Sequence, residues 1–125
     1  MLAFRQAVEA QDMQAAVATL AEDVRFRSPI VFREYNGRDD VGMVLMAVSR
    51  VFEDFRYERE IGSEQDADHA LVFRARVGDR ELEGVDLLHT DAAGQVDELV
   101  VMVRPMSAAL ALQKAMAEML AEASS

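Results

Sequence analysis

The sequence predicts an α+β fold in a single domain over residues 1–125, on three observations. Apolar residues recur at helical spacing in the first 52 residues and again at the end of the chain, with one short alternating stretch among the early helices. Between these regions, period-two alternation runs through three or four successive segments separated by turn residues. No repeat or linker divides the chain, and 125 residues is the length of one domain. Helices first and a meander afterwards is the order of an α+β architecture.

LAFRQAVEA places Leu2, Phe4 and Val8 at near-helical spacing. MQAAVATL forms a second short helix behind Asp12, whose carboxylate suits an N-cap. In DVRFRSP, Val24, Phe26 and Ser28 share one face and Arg25 and Arg27 the other, so this is a strand, which Pro29 ends. IVFREYNGR is loop-like and closes on Asn36-Gly37. From Arg38 to about Phe52, Val41, Leu45, Val48 and Phe52 mark an amphipathic helix, with Asp39 and Asp40 at the positive end of its dipole. DFRYEREIG sets Phe55, Tyr57, Arg59 and Ile61 against Arg56, Glu58 and Glu60, and HALVFRARVG sets Leu71, Phe73, Ala75 and Val77 against Arg74 and Arg76.

A turn at Gly78-Asp79-Arg80 leads into EGVDLLHTDAAGQVDELVVMVRP, a hairpin around a DAAG loop, apolar on both faces. With Thr90 opposite Gln95, Asp86 falls opposite Leu99 and shares its face with Leu88, Val101 and Val103. Val85, Leu87, His89, Val100, Met102 and Arg104 take the other face. A last helix, about Met106 to Ala123, carries Leu112, Met116, Met119 and Leu120 on one stripe. It is expected to pack against its own sheet or a partner rather than to serve as a lid.

Composition narrows the function. With 23 acids against 13 bases the net charge is −10, which opposes nucleic acid and anionic membrane as partners. No stretch approaches a membrane span, and residues 1–20 look like the start of the fold rather than a leader. The absence of cysteine excludes disulfides and thiolate chemistry and fits a cytoplasmic protein. One apolar face of the hairpin can be covered by the amphipathic helix; the other, with Val85, Leu87, Val100 and Met102, predicts a homodimer.

Asp86 is the lead to function, because a carboxylate inside an apolar strand is costly unless it serves a purpose. Burial among Leu and Val raises its pKa, which suits a general acid or base. Phe26, Phe73, Leu99 and Val101 fall on the inward faces of four strands and bound an apolar cavity around it for a small hydrophobic molecule. Ser28, Tyr35 and Tyr57 offer hydroxyls that orient a ligand. His89 lies on the opposite strand face, and His69, after EQDAD, is expected in solvent. Two histidines without a spaced carboxylate partner predict no metal site, and no cofactor is expected. Arg104 is expected to pair with an acid such as Glu98. Two function classes stay open: an acid–base enzyme and a non-catalytic ligand-binding or dimerisation module.

The order of elements and four local motifs resemble the NTF2-like superfamily, the cone-shaped fold shared by ketosteroid isomerases and SnoaL-like polyketide cyclases. QDMQAAVATLAEDVRF resembles the family's opening run of helix, acidic pair and strand. SPIVFREYNGR is similar to the isomerases' D-P-x7-G-R segment, and GVDLLHTDAAGQV to their paired strands. VMVRP followed by a helix resembles an uncharacterised SnoaL-like branch. The resemblance implies N-terminal helices packed in a curved, mostly antiparallel sheet with a pocket at the wide end, plus a C-terminal helix. It also implies proton chemistry. The isomerases combine a carboxylate base, a tyrosine and a second, protonated aspartate. Carried over, the base position holds Ser28 and the tyrosine position Phe4, and Asp86 alone is kept. The epoxide hydrolases' Arg-x-Asp motif is broken by Gly84. The cyclases, which rely largely on one pocket aspartate as acid and base, are the branch from which this chain departs least.

Overall fold

The computed structural model describes residues 2–124. Helix α1 (Ala3–Glu9) and helix α2 (Met13–Ala18) meet at Asp12, whose Oδ1 accepts the Ala15 N–H at 3.1 Å as the N-cap. Strand β1 (Leu20–Arg27) follows, then β2 (Tyr35–Asn36), a two-residue strand inside the segment expected to be all loop. Helix α3 (Arg38–Val51) leads to β3 (Glu53–Ile61), β4 (Asp68–Val77), β5 (Arg80–Thr90), β6 (Val96–Arg104) and helix α4 (Met106–Ser124). The strands form one curved sheet in the order β2-β1-β6-β5-β4-β3. Its neighbours are antiparallel except for β1 and β6, which run parallel with Phe26 opposite Leu99.

The helices cover the inner face. Arg38 Nε donates to Leu20 O at 3.0 Å and ties the start of α3 to β1. The core runs from Phe4 through Val24, Val41, Leu45, Leu71, Phe73 and Leu99 to Leu112. Phe73 lies over Gly84 on the neighbouring strand. A Cβ at Gly84 would stand 2.3 Å from Phe73 Cζ, so only glycine admits the ring. Helix α4 packs on α3 and on β4–β6, burying Ala108 and Leu112. Among the described residues, no helix is long and apolar enough to cross a membrane.

Three local expectations are corrected. The hairpin loop is shorter than DAAG: Asp91 N–H donates to Gln95 O at 2.8 Å and Gly94 N–H to Asp91 O at 2.9 Å, with Gly94 at φ +83°. Thr90 then faces Val96, Asp97 bulges out, and His89 faces Glu98, so Asp86 pairs with Val101 instead of Leu99. Two one-residue shifts add to two, and parity survives. Asp86, Leu88, Leu99 and Val101 stay on the inner face, while Arg104 stays on the outer one, where it meets Glu83 at 3.3 Å. Glu98 is taken by Arg25 at 2.6 Å.

The second correction is in β3. Tyr57 faces Phe73, but Arg59 faces Val72, leaving Glu58 as an extra residue. Past this bulge the faces swap. Glu60 turns inward opposite Leu71, and Ile61, expected beside Tyr57, turns outward and is 51% exposed. Third, His69 is buried rather than solvated, because it already belongs to β4 on the inward parity. Its Nε2 lies 2.8 Å from Asp66 O, and its Nδ1 has no hydrogen-bond partner among the described residues.

Candidate active site

Asp86 stands in the middle of β5, between Leu71 of β4 and Val101 of β6. Its carboxyl is buried, and Tyr57 O–H donates to its Oδ2 at 2.9 Å. Oδ1 makes no hydrogen bond to the described residues. Burial lifts the Asp86 pKa to about 7, with the Tyr57 hydrogen bond opposing part of the rise. Tyr57 moves the same way: burial, then the neighbouring Asp86 charge, raise its pKa above that of a free phenol, so it stays a proton donor.

Tyr57 is held by other aromatic rings. Phe55 meets it edge-on at 5.0 Å between centroids and Phe73 at 6.5 Å, while Phe52 stacks on Phe55 at 5.7 Å. Arg5 of α1 places its guanidinium carbon 5.6 Å from the Tyr57 centroid. These groups fix the ring, and the ring fixes one oxygen of Asp86.

Asp86 and Tyr57 open on a cavity of about 960 Å³. Phe26, Ser28, Tyr35, Phe73, Leu99 and Val101, the other residues singled out by sequence, line the same cavity. Phe26 and Tyr35 face each other across β1 and β2 with centroids 6.0 Å apart. Ser28 Oγ accepts the N–H groups of Ile30 at 3.2 Å and Val31 at 3.1 Å, which leaves its own proton to donate. Tyr57, expected from the sequence to orient a ligand, bonds Asp86, and Phe55 both packs against the core and lines the cavity. The sequence reading missed the walls made by helices: Phe4 and Val8 from α1, Val44 and Val48 from α3, and Met116 and Leu120 from α4. Helix α4 therefore packs on its own sheet, as expected, and also contributes side chains to the cavity wall.

His89 points away from Asp86 and pairs with Asp97 at 2.6 Å, an arrangement that raises the histidine pKa. Among the described residues, no group of three or more His, Cys, Asp or Glu could hold a metal ion.

Neither a family model nor a curated protein sequence matches the chain. Solved structures do. The chain is 39% identical to a steroid delta-isomerase from Pseudomonas aeruginosa, covering 94% of this chain and 85% of that one, with a TM-score of 0.88. The chain belongs to the NTF2-like, SnoaL-like family. A second similar structure is that of an uncharacterized protein conserved in bacteria, with a cystatin-like fold, from Silicibacter pomeroyi, 37% identical over 93% of this chain and 81% of that one, at a TM-score of 0.87. A SnoaL-like protein of unknown function from Burkholderia thailandensis shares the fold at 15% identity, covering 82% and 90% of the two chains, with a TM-score of 0.66. Within this NTF2-like frame, Phe4, Ser28 and Asp86 all line the one cavity.

Proposed function

We propose that this SnoaL-like chain is a cofactor-independent enzyme that moves a proton on a small hydrophobic molecule, with Asp86 as general acid and base. One observation carries the reading: a carboxyl in an apolar cavity, tied at one oxygen by Tyr57 and balanced between its two protonation states near pH 7. In the ionised form, Oδ1 takes a proton from the ligand, and desolvation makes it a stronger base than a solvated aspartate. Tyr57 O–H steadies the carboxylate at Oδ2 throughout. Asp86 then returns the proton at another position, and no electron acceptor is needed. Ser28 and Tyr35 provide hydroxyls on the β1–β2 side for a ligand oxygen. The neighbour named as a steroid delta-isomerase supports isomerase-type chemistry on a rigid apolar ketone. Phe4 and Ser28 argue against the full isomerase mechanism and for a single-acid version.

The test uses a panel of β,γ-unsaturated ketones in D2O, with deuterium uptake followed by mass spectrometry and conjugation by absorbance. The parent protein exchanges and isomerises at least one member, and Asp86→Asn slows it by about 100-fold or more. An Asp86→Asn protein as active as the parent would sink the proposal. A second reading, a ligand-binding module without turnover, is favoured by the lost groups at positions 4 and 28. Native mass spectrometry that finds a ligand retained by the parent, together with no exchange on any ketone, would decide for it.

We further infer a cytoplasmic homodimer formed through the outer face of the sheet. Leu87, Ile61 and Met102 are 39%, 51% and 54% exposed there, and Phe32 is fully exposed on the adjoining loop.

A further inference from the structure

Arg5 sits where an arginine is expensive to keep. Its Nη1 donates to Glu60 Oε1 at 2.9 Å and its Nη2 to Glu9 Oε2 at 3.4 Å, while its Cζ lies 5.6 Å from the Tyr57 ring centroid. Its side chain is 19% exposed and that of Glu60 20%. Nε is buried 3.3 Å from Glu9 Oε1 but makes no hydrogen bond to any described residue. Such a half-buried ion pair contributes little stability. Glu60 reaches Arg5 only because the bulge at Glu58 turns that side chain inward. A backbone irregularity and a half-buried ion pair thus converge on one face of one tyrosine.

We propose that Arg5 is a positioning residue: clamped by Glu60 and Glu9 against the Tyr57 ring, it tunes the proton-transfer group of the cavity from the N-terminal helix. The charged and titratable groups involved are few. Asp86 is faced by Tyr57; Tyr57 is faced by Arg5 and Glu9 from α1, with Phe55 and Phe73 at its sides; Glu60 is the counter-ion from β3. A cation over the ring face is attracted to its π electrons and draws them from the phenol oxygen, so the O–H becomes a better donor. A better donor stabilises the ionised form of Asp86 and so offsets part of the burial that disfavours it.

The inference rests on Asp86 as the proton-transfer group, yet its test needs no substrate and so can fail independently of that reading. The Asp86 carboxyl is titrated by 13C NMR in the parent, Arg5→Met, Arg5→Lys, Tyr57→Phe and the Arg5→Met/Tyr57→Phe double variant. Arg5→Met raises the Asp86 midpoint by about half a pH unit. Arg5→Lys, which keeps the cation, recovers most of that shift, and Arg5→Met has little effect once Tyr57 is Phe. No shift in folded Arg5→Met, or an equal shift in both backgrounds, overturns the proposal. If Arg5→Met does not fold, Glu60→Gln separates the effects. Deleting an anion alone lowers the Asp86 midpoint, whereas loosening Arg5 raises it. An upward move supports the clamp; an unchanged or lower midpoint overturns it.

Discussion

Under the proposed function, the burial that suits Asp86 to proton transfer also costs the fold stability once the carboxyl ionises. In the unfolded chain an aspartate ionises near pH 4, whereas in the folded protein it holds its proton to about pH 7. Below pH 4 both states are protonated and the residue imposes no penalty. Between those values the unfolded state releases its proton first, so folding stability falls as pH rises, and it levels off above pH 7. Asp86→Asn keeps an acceptor for Tyr57 and removes the ionisation. The variant is expected to gain on the order of 3 kcal/mol over the parent at pH 8 and little at pH 4. Urea midpoints measured from pH 4 to pH 8 check this, and His89 titrates alike in both proteins, so it cancels in the difference. Parallel curves would mean that the carboxylate is not penalised in its site. Asp86 was legible in the sequence because an acid breaks an otherwise apolar strand. Its partner was not, since Tyr57 lies on another strand and its hydroxyl has many possible acceptors until the sheet order is known.

At the scale of elements, helix α4 serves the core and the cavity together. Leu112 is 2% exposed and belongs to the core while also bordering the cavity, whereas Met116 and Leu120 are only half-buried and face the cavity. Leu112→Ala is expected to cost about 3 kcal/mol in chemical denaturation, because the buried site cannot collapse around the loss. Met116→Ala borders space that is already open and should cost less, and under the proposed activity it should change which ketones of the test panel are turned over. Equal costs would show that the helix is merely structural. The helix stripe, the amphipathic α3 and the inward parity of β4, β5 and β6 could all be read from apolar spacing. The bulges could not. Glu58 and Asp97 carry no glycine or proline to announce them, and each is set by how a strand matches its neighbour, which is a long-range property. The hairpin reading still found the right face because two slips cancelled in parity; in β3 a single slip lies between Tyr57 and Ile61, and it misplaced Ile61. His69 went astray for a related reason, since EQDAD looks like a turn and β4 begins at its last residue.

At the scale of the whole molecule, the outer face divides in two. One part is a charge ladder, with Glu58–Arg74 at 3.2 Å, Arg74–Glu83 at 3.3 Å and Arg104–Glu83 at 3.3 Å. The other holds Ile61, Leu87 and Met102. If the apolar part is the dimer contact, Leu87→Asp should weaken association at least about tenfold and leave the fold intact. Light scattering at micromolar concentration reads this out, and a parent protein of monomer mass would count against it. The parallel β1–β6 pair has a consequence for how the chain is made. The meander from β4 to β6 consists of sequence neighbours, which close cheaply, but Phe26 must find Leu99 across most of the chain. Until then β1 has only the two-residue β2 as a strand partner. In pulsed hydrogen exchange during refolding, amides of β4 and β5 should gain protection before those of β1, and simultaneous protection would contradict that order. The cavity takes its walls from both ends of the chain, Phe4 and Phe26 on one side and Leu112 and Met116 on the other. On a ribosome, the capacity to hold a ligand would therefore have to wait until helix α4 has been synthesised, long after Phe4 and Phe26 have left the tunnel.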